Sequence, residues 1–271
     1  MKFRYASIPY LVWSAVFVLV PLGLVAVFAF TTQTGTFTID NIARVSSYTP
    51  VFMRSVWLAI LATVICLVIG YPLAYLMSRM SGVSQRTMVM LIMLPMWINF
   101  LLRTYAWMTL LENNGVINTV LRALGFGTVR MINTQGAVVL GMVYNYLPFM
   151  ILPLYSIMTK IDDRVIEAAQ DLGANPLTVF SRVIFPLSVP GISTGVTMVF
   201  VPAISTFIIS RMLGGGSNML IGDLIDAQFL GNAYNPNLGA AISMVLMVFI
   251  LLVMSIFNQF DDSEEREGML I

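Results

Sequence analysis

Apolar positions fall in six long blocks, at about residues 8–30, 51–77, 88–111, 137–158, 187–209 and 238–257. Each is long enough to cross a bilayer core, which takes about 20 residues at helical rise. Polar, turn-rich segments separate them: TTQTGTFTIDNIARVSSY, SRMSGVSQR, ENNGVINTVLRALGFGTVRMINTQG, a stretch over residues 160–186, and RMLGGGSNMLIGDLIDAQFLGNAYNPN. The pattern predicts an all-α polytopic membrane protein, one domain over 1–271 with six transmembrane helices. Six crossings put both termini on one side. Pro95, Pro148, Pro153, Pro190 and Pro202 lie within or at the edges of the blocks. Such prolines are tolerated in lipid where neighbouring helices or a water-lined cavity satisfy the freed carbonyls. Bent central helices suit a protein that encloses a pathway.

The stretch between the fourth and fifth blocks breaks the oily pattern. EAAQDLGANPLTVFSRVIFP, positions 167–186, is helix-prone and rich in small and charged residues. Asp162 or Asp163 can cap a helix running to about Leu172, and Gly173 suits its end. Asn175 and Pro176 then restart a helix as N-cap and first residue. Two short helices should meet at a bend, with Pro186 leading into the fifth span. Glu167 and Asp171 share a face, Ala168 and Ala169 permit close approach, and Val165, Leu172, Leu177, Phe180 and Val183 supply apolar contacts. An amphipathic pair resting on the membrane surface and a docking element for a partner both fit this pattern.

Composition agrees with lipid burial: 58% of the 271 residues are hydrophobic and 10% charged, with a mean hydropathy of +0.88. Soluble domains carry about 25% charged residues. The absence of histidine and the single Cys66 exclude imidazole catalysis, a His/Cys zinc site and an internal disulfide. Cys66, inside an apolar block, reads as a small buried hydrophobe. The net charge of +1 gives no sign of nucleic-acid binding. Lys2 and Arg4 precede a first block longer than the roughly 7–15 residues of a signal-peptide core, so it reads as a retained span. With termini inside, Lys2, Arg4, Arg79, Arg86, Lys160, Arg164, Arg182 and Arg266 are cytoplasmic. Arg44, Arg54, Arg103, Arg122, Arg130 and Arg211 are then on or towards the other side, and the bias favours this orientation. The only lysines, Lys2 and Lys160, follow no glycine-rich phosphate loop, so the chain does not carry a P-loop ATPase site.

The stretch at 167–186 resembles the EAA motif of permease subunits of ABC importers: EAA, three residues, G, nine residues, I-x-L-P. Glu167, Ala168, Ala169, Gly173 and Pro186 match it in spacing; Val183 and Phe185 replace the Ile and Leu. WINFLLRTYAW, YNYLPFMILPLY, VIFPLSVPGI and MLGGGSNMLIGDLIDAQFL carry the resemblance along nearly the whole chain, to B-type permeases of spermidine/putrescine importers. Permeases for iron, thiamine or sulfate share the architecture. The resemblance implies a type I importer permease fold in the bacterial cytoplasmic membrane. It also implies an EAA loop, with Asp171 on its helix, that docks in a groove of an ATPase dimer. The implied partners are a second homologous permease, that ATPase with its ATP and Mg, an extracytoplasmic binding protein and a small polycation. The chain itself would hold no cofactor and perform no covalent chemistry.

A polycation with methylene spacers calls for aromatic faces and carboxylates or carbonyl dipoles. The third span offers Trp97, Asn99, Tyr105 and Trp107, the fourth Tyr144, Asn145 and Tyr146. Interfacial belts and helix packing use the same residue types. Arg103 lies about 12 Å below Leu111 on an unbroken helix and shares a face with Asn99. It would repel a polycation, so a structural role, paired with a carboxylate or capping carbonyls at a kink, is expected. In LIGDLIDAQFL, the apolar residues face one way and Asp223 and Asp226 the other, predicting a solvated acidic face. The acidic tail DDSEEREG reads as a solvated end. A self-sufficient secondary transporter would show intramembrane carboxylates or a repeat, and a membrane enzyme a nucleophile–base or metal constellation. Neither pattern is seen.

Overall fold

The computed structural model describes residues 8–231 and 233–268, without the side chains of Ile8, Ser217 and residues 258–268. Lys2 and Arg4, the Arg266 side chain and the side chains of the DDSEEREG tail lie outside this description. In chain order the helices are α1 (Ile8–Ser14), α2 (Val20–Ala29), α3 (Asp40–Val45), α4 (Thr49–Ser78), α5 (Gly82–Met93), α6 (Phe100–Leu111) and α7 (Val116–Ala123). There follow α8 (Gln135–Met158), α9 (Asp163–Asp171), α10 (Pro176–Val179), α11 (Phe185–Ser205), α12 (Ile208–Gly214), α13 (Ile221–Phe229) and α14 (Pro236–Gly268). Five helical stretches are long and apolar enough to cross a membrane, and a broken pair makes a sixth. The all-α, six-span expectation holds in that form.

The core is a bundle of α4, α8 and α11, the second, fourth and fifth spans. Small residues let these helices approach. A Cβ on Gly195 would stand 2.7 Å from the Met150 sulfur, and one on Gly70 would stand 3.1 Å from Met150 Cγ. Met150 is therefore wedged between α4 and α11. Cys66 is buried in this core, as its apolar setting predicts. Hydroxyls bridge the helices: Tyr71 and Ser188 lie 2.9 Å apart, and Ser193 donates to the Phe257 carbonyl at 3.1 Å. Lone threonines such as Thr63 and Thr194 donate one turn back to Ala59 and Pro190, which satisfies them inside the apolar layer.

The first span stands apart. Helices α1 and α2 join through a π turn at Ala15–Leu19, and their most apolar window buries nothing within the chain. Contact with α14 and α3 holds the end of α2. Asn41 donates to the Ala29 and Thr31 carbonyls, and Asn237 to those of Phe28 and Thr31. Two buried amides thus satisfy carbonyls that a helix end leaves open.

Three expectations change. The third span is not one helix: around Pro95 the chain tightens into a 3-10 turn at Leu94–Trp97, Ile98 is extended, and α6 restarts at 86° to the first half. Asn99 caps the restart, accepting the Leu101 N–H at 2.8 Å. A depth for Arg103 counted along a straight helix therefore fails. The fifth span ends at Ser205, not Ile209, because Thr206 is extended and α12 begins anew. Gly222 of α13 lies against this break, where a Cβ would stand 2.5 Å from the Ser205 and Thr206 carbonyl oxygens. Finally, the helix begun at Pro176 does not stop before Pro186. It passes through a π turn at Phe180–Ile184 and runs unbroken to Ser205.

Candidate coupling surface and membrane pathway

The segment at 160–186 is built as its turn residues dictate. The Asp162 side chain accepts the Arg164 N–H at 3.0 Å and starts α9. Gly173 closes it with φ at +84°, a left-handed conformation that a side chain makes costly. The Gly173 N–H reaches the Gln170 carbonyl at 2.8 Å, and the Ala174 N–H reaches Ala169 at 3.1 Å. Asn175 then caps α10, its Oδ1 accepting the Thr178 N–H and hydroxyl at 2.8 Å each.

A small apolar cluster seats the segment on the bundle: Ile161, Val179 and Ile184, with Tyr75, Ile166, Ala169, Ala174 and Val183 around them. Ala169 therefore faces inward, which corrects the picture of two alanines presented together. Ala168, Glu167, Asp171, Gly173 and Pro186 are exposed. Leu172 and Leu177 do not supply internal contacts either, being 89% and 75% exposed at the bend. Glu167, Asp171, Ala168, Leu172 and Leu177 thus stand exposed together on one loop.

Arg79, at the end of α4, fixes this surface to the bundle. Its guanidinium pairs with Asp163 on α9, donates to the Ile161 carbonyl at 3.4 Å and lies over the Tyr75 ring. In the sequence Arg79 reads only as a cytoplasmic charge. The legible signal is an arginine and an aspartate at the same-side ends of the second and fourth spans. Movement of α9 is thereby tied directly to α4, and through the continuous 176–205 helix to α11.

The aromatic candidates separate. Trp97 is 71% exposed at the break, and Tyr105 and Asn99 are exposed beside it. Tyr144 packs instead against Trp107, ring centroids 5.4 Å apart and edge to face. Asn145 is only 2% exposed; its amide donates to the Gly141 carbonyl at 2.8 Å, while its Oδ1 has no acceptor role filled. Tyr146 donates to the Pro202 carbonyl at 3.4 Å. The fourth-span polar pair is thus buried within the chain, whereas the third-span set faces outward at the break. Arg103 has no carboxylate partner among the described residues, contrary to expectation. It lies over the Phe100 ring, and its Nε and Nη1 are buried with no hydrogen bond.

At the opposite end from the loop, α12 and α13 form a charged latch. Arg211 pairs with Asp226 and approaches Asp223 at 3.9 Å. Asp223 is only 6% exposed and accepts the Leu220 N–H at 2.9 Å, so the solvated acidic face is absent. An acid at the third position of a helix reaching back to the N–H of its N-cap residue was the available signal. Ser55 of α4 accepts the Ile221 N–H at 2.8 Å and anchors α13 to the bundle.

Comparison with known proteins adds to this geometry. Residues 20–264 match the family described as binding-protein-dependent transport system inner membrane component. Spermidine/putrescine transport system permease protein PotB of Haemophilus influenzae is 39% identical over 257 residues, 90% of this chain and 89% of that protein. PotB of Escherichia coli K12 is 36% identical over 255 residues, covering 90% and 92%. Among solved structures, a bacterial ABC transporter involved in the import of the acidic polysaccharide alginate superposes with a TM-score of 0.75 at 18% identity. That match covers 94% of this chain and 93% of the other. A chain of the inward-facing MetNI methionine ABC transporter gives 0.56 at 17% identity, covering 79% and 94%. At those identities the likeness is one of fold.

Proposed function

The chain belongs to the binding-protein-dependent transport system inner membrane component family, and on that premise we propose that it is a permease subunit of an ATP-driven polyamine importer. It forms one half of a membrane pathway, with a second, homologous permease supplying the other half. A separate ATPase dimer binds ATP and Mg and docks on the 160–186 loop. An extracytoplasmic binding protein delivers spermidine or putrescine, and both termini lie on the cytoplasmic side with the loop. The observation that carries this reading is the loop itself: Glu167, Ala168, Asp171 and the leucines at the Gly173 bend stand exposed, while Arg79 and a small apolar cluster hold their backbone to α4 and α11.

The mechanism follows from these links. Closure of the ATPase pair draws the docked loops together, and the rigid 176–205 helix carries that motion into the membrane. Lipid surrounds the bundle, and no nucleic acid takes part. The exposed aromatic set Trp97 and Tyr105, with Asn99, lines the pathway at the break and meets the polycation through ring faces and an amide carbonyl. Tyr144, packed edge to face on Trp107, and the buried Asn145 support this wall from within the chain. The polyamine assignment rests on the names of relatives that match over most of both chains.

The test is uptake of labelled spermidine into proteoliposomes holding the two permeases, the ATPase and the binding protein. ATP-dependent uptake that vanishes when the ATPase is omitted is expected. Uptake that persists without it overturns the reading, and stimulation by a binding protein loaded with another solute class overturns the substrate.

A further inference from the structure

At the end of the molecule opposite the 160–186 loop lies a polar cavity of about 460 Å³. Glu112, Asn113, Asn114 and Asn133 line it, together with Met108 and Met212. Three parts of the chain meet there: the end of α6, the loop before α8 and the end of α12. Hydrogen bonds fix each wall. The buried Asn118 amide donates to the Glu112 carbonyl at 3.1 Å and the Val129 carbonyl at 3.0 Å, and its oxygen accepts the Val129 N–H at 2.9 Å. This clasp holds the turn after α6 against the loop. On the other side the Asn133 N–H donates to the Leu213 carbonyl at 2.9 Å, and the Asn133 carbonyl accepts from the Asn218 amide at 3.2 Å.

The cavity is rich in unused acceptors. Among the described residues, no ion pair or hydrogen bond engages the side chains of Glu112, Asn113 or Asn114. No basic residue lines it either: Arg211, next to Met212, is held by Asp226. Arg103, nine residues before Glu112, lies on the far side of α6 from it. One carboxylate and three amide oxygens match the three N–H donors of a primary ammonium group, and the two methionines offer methylenes an adaptable apolar wall. A divalent cation would ask for more oxygens and more negative charge than one carboxylate brings. Tyr105, Met108 and Glu112 are three and four apart on α6 and so share a face. The exposed Tyr105 ring therefore stands about 10 Å from Glu112 along the helix, on the way to the break at Trp97 and Asn99.

We propose that this cavity receives a primary ammonium group of the incoming polycation, with Glu112 as its counter-ion, and passes it along the Tyr105 face to the aromatic break. The inference deepens the polyamine reading given above and rests on it.

Two measurements on the assembled complex test this. In the first, ATP-driven spermidine uptake is followed as the concentration of spermidine-loaded binding protein rises. Glu112→Gln should lower the rate at saturation about tenfold, as loss of a charge-assisted partner does, and Glu112→Asp should retain most of it. An unchanged rate at saturation overturns the proposal. That includes the case where only the half-saturating concentration rises, which would mean that Glu112 meets a lysine of the binding protein instead. In the second, Asn114→Cys is modified with 2-aminoethyl methanethiosulfonate, a primary ammonium, and with its neutral methyl counterpart; the native Cys66 is buried. The rate ratio of the ammonium to the neutral reagent should fall about tenfold when Glu112→Gln is added. An equal ratio in both backgrounds overturns the proposal, and this measurement needs no transport. If the wild-type complex drives no spermidine uptake while the ammonium reagent keeps its preference, it is the polyamine reading that fails.

Discussion

Asp223 shows how far one residue's environment departs from its pattern. Its place opposite an apolar stripe predicted solvation, yet the side chain is folded back on the Leu220 N–H that caps α13 and buried under α12. Burial raises its carboxyl above the ordinary value of 3.8, with the Leu220 N–H and Arg211 partly offsetting it. A raised carboxyl binds its proton more tightly in the folded state. Its contribution to stability is therefore full below the ordinary value and is lost as pH climbs through the raised one. Asp223→Asn keeps an oxygen for Leu220 and never ionises. The difference in melting temperature between variant and wild type in detergent should shift in the variant's favour as pH rises through the acid range. A difference that does not change with pH would show that Asp223 ionises as an ordinary surface acid.

At the level of elements, α9 and its bend carry the functional argument. Gly173 has open space around it but a left-handed backbone, so the cost of a side chain there is conformational, not steric. Gly173→Ala should destabilise the bend by about 1 kcal/mol and weaken coupling modestly. Gly173→Pro, which fixes φ near −65°, cannot keep the turn and should abolish ATP-driven uptake while the chain stays inserted. Vesicle uptake beside membrane-fraction immunoblots reads both, and unchanged uptake in the proline variant counts against a coupling role. The caps and the bend were legible because Asp162, Gly173 and Asn175 act on their own neighbours. That Ala169 points inward was not, because it depends on where Tyr75 and Ile184 stand.

For the whole molecule, the deciding contacts are between spans distant in sequence. Met150 fits between α4 and α11 only because Gly70 and Gly195 lack side chains. Gly195→Val forces α11 away from Met150 and α8, and should cost about 1–3 kcal/mol by overpacking. A lower melting temperature of the purified complex is expected, with uptake falling in parallel because α11 links the loop to the membrane. An unchanged melting temperature would mean that α8 and α11 can separate without loss. The first span, joined to the rest through α14 and α3, should be insensitive to this change.

Local chemistry determined a great deal by itself. Long apolar blocks require helices in lipid, since every backbone polar group must be satisfied within its own segment. Caps, glycine bend and motif spacing likewise act within a few residues, so the span count and the bent loop at 160–186 could be read from sequence. The break after Trp97, the unbroken run from Pro176 to Ser205 and the burial of Asp223 were decided by tertiary structure. So was the setting of Arg103, which has no carboxylate partner among the described residues. The burial of Asp223 under α12 and the setting of Arg103 depend on which helices pack together, and apolar blocks of similar composition do not encode which of their faces meet.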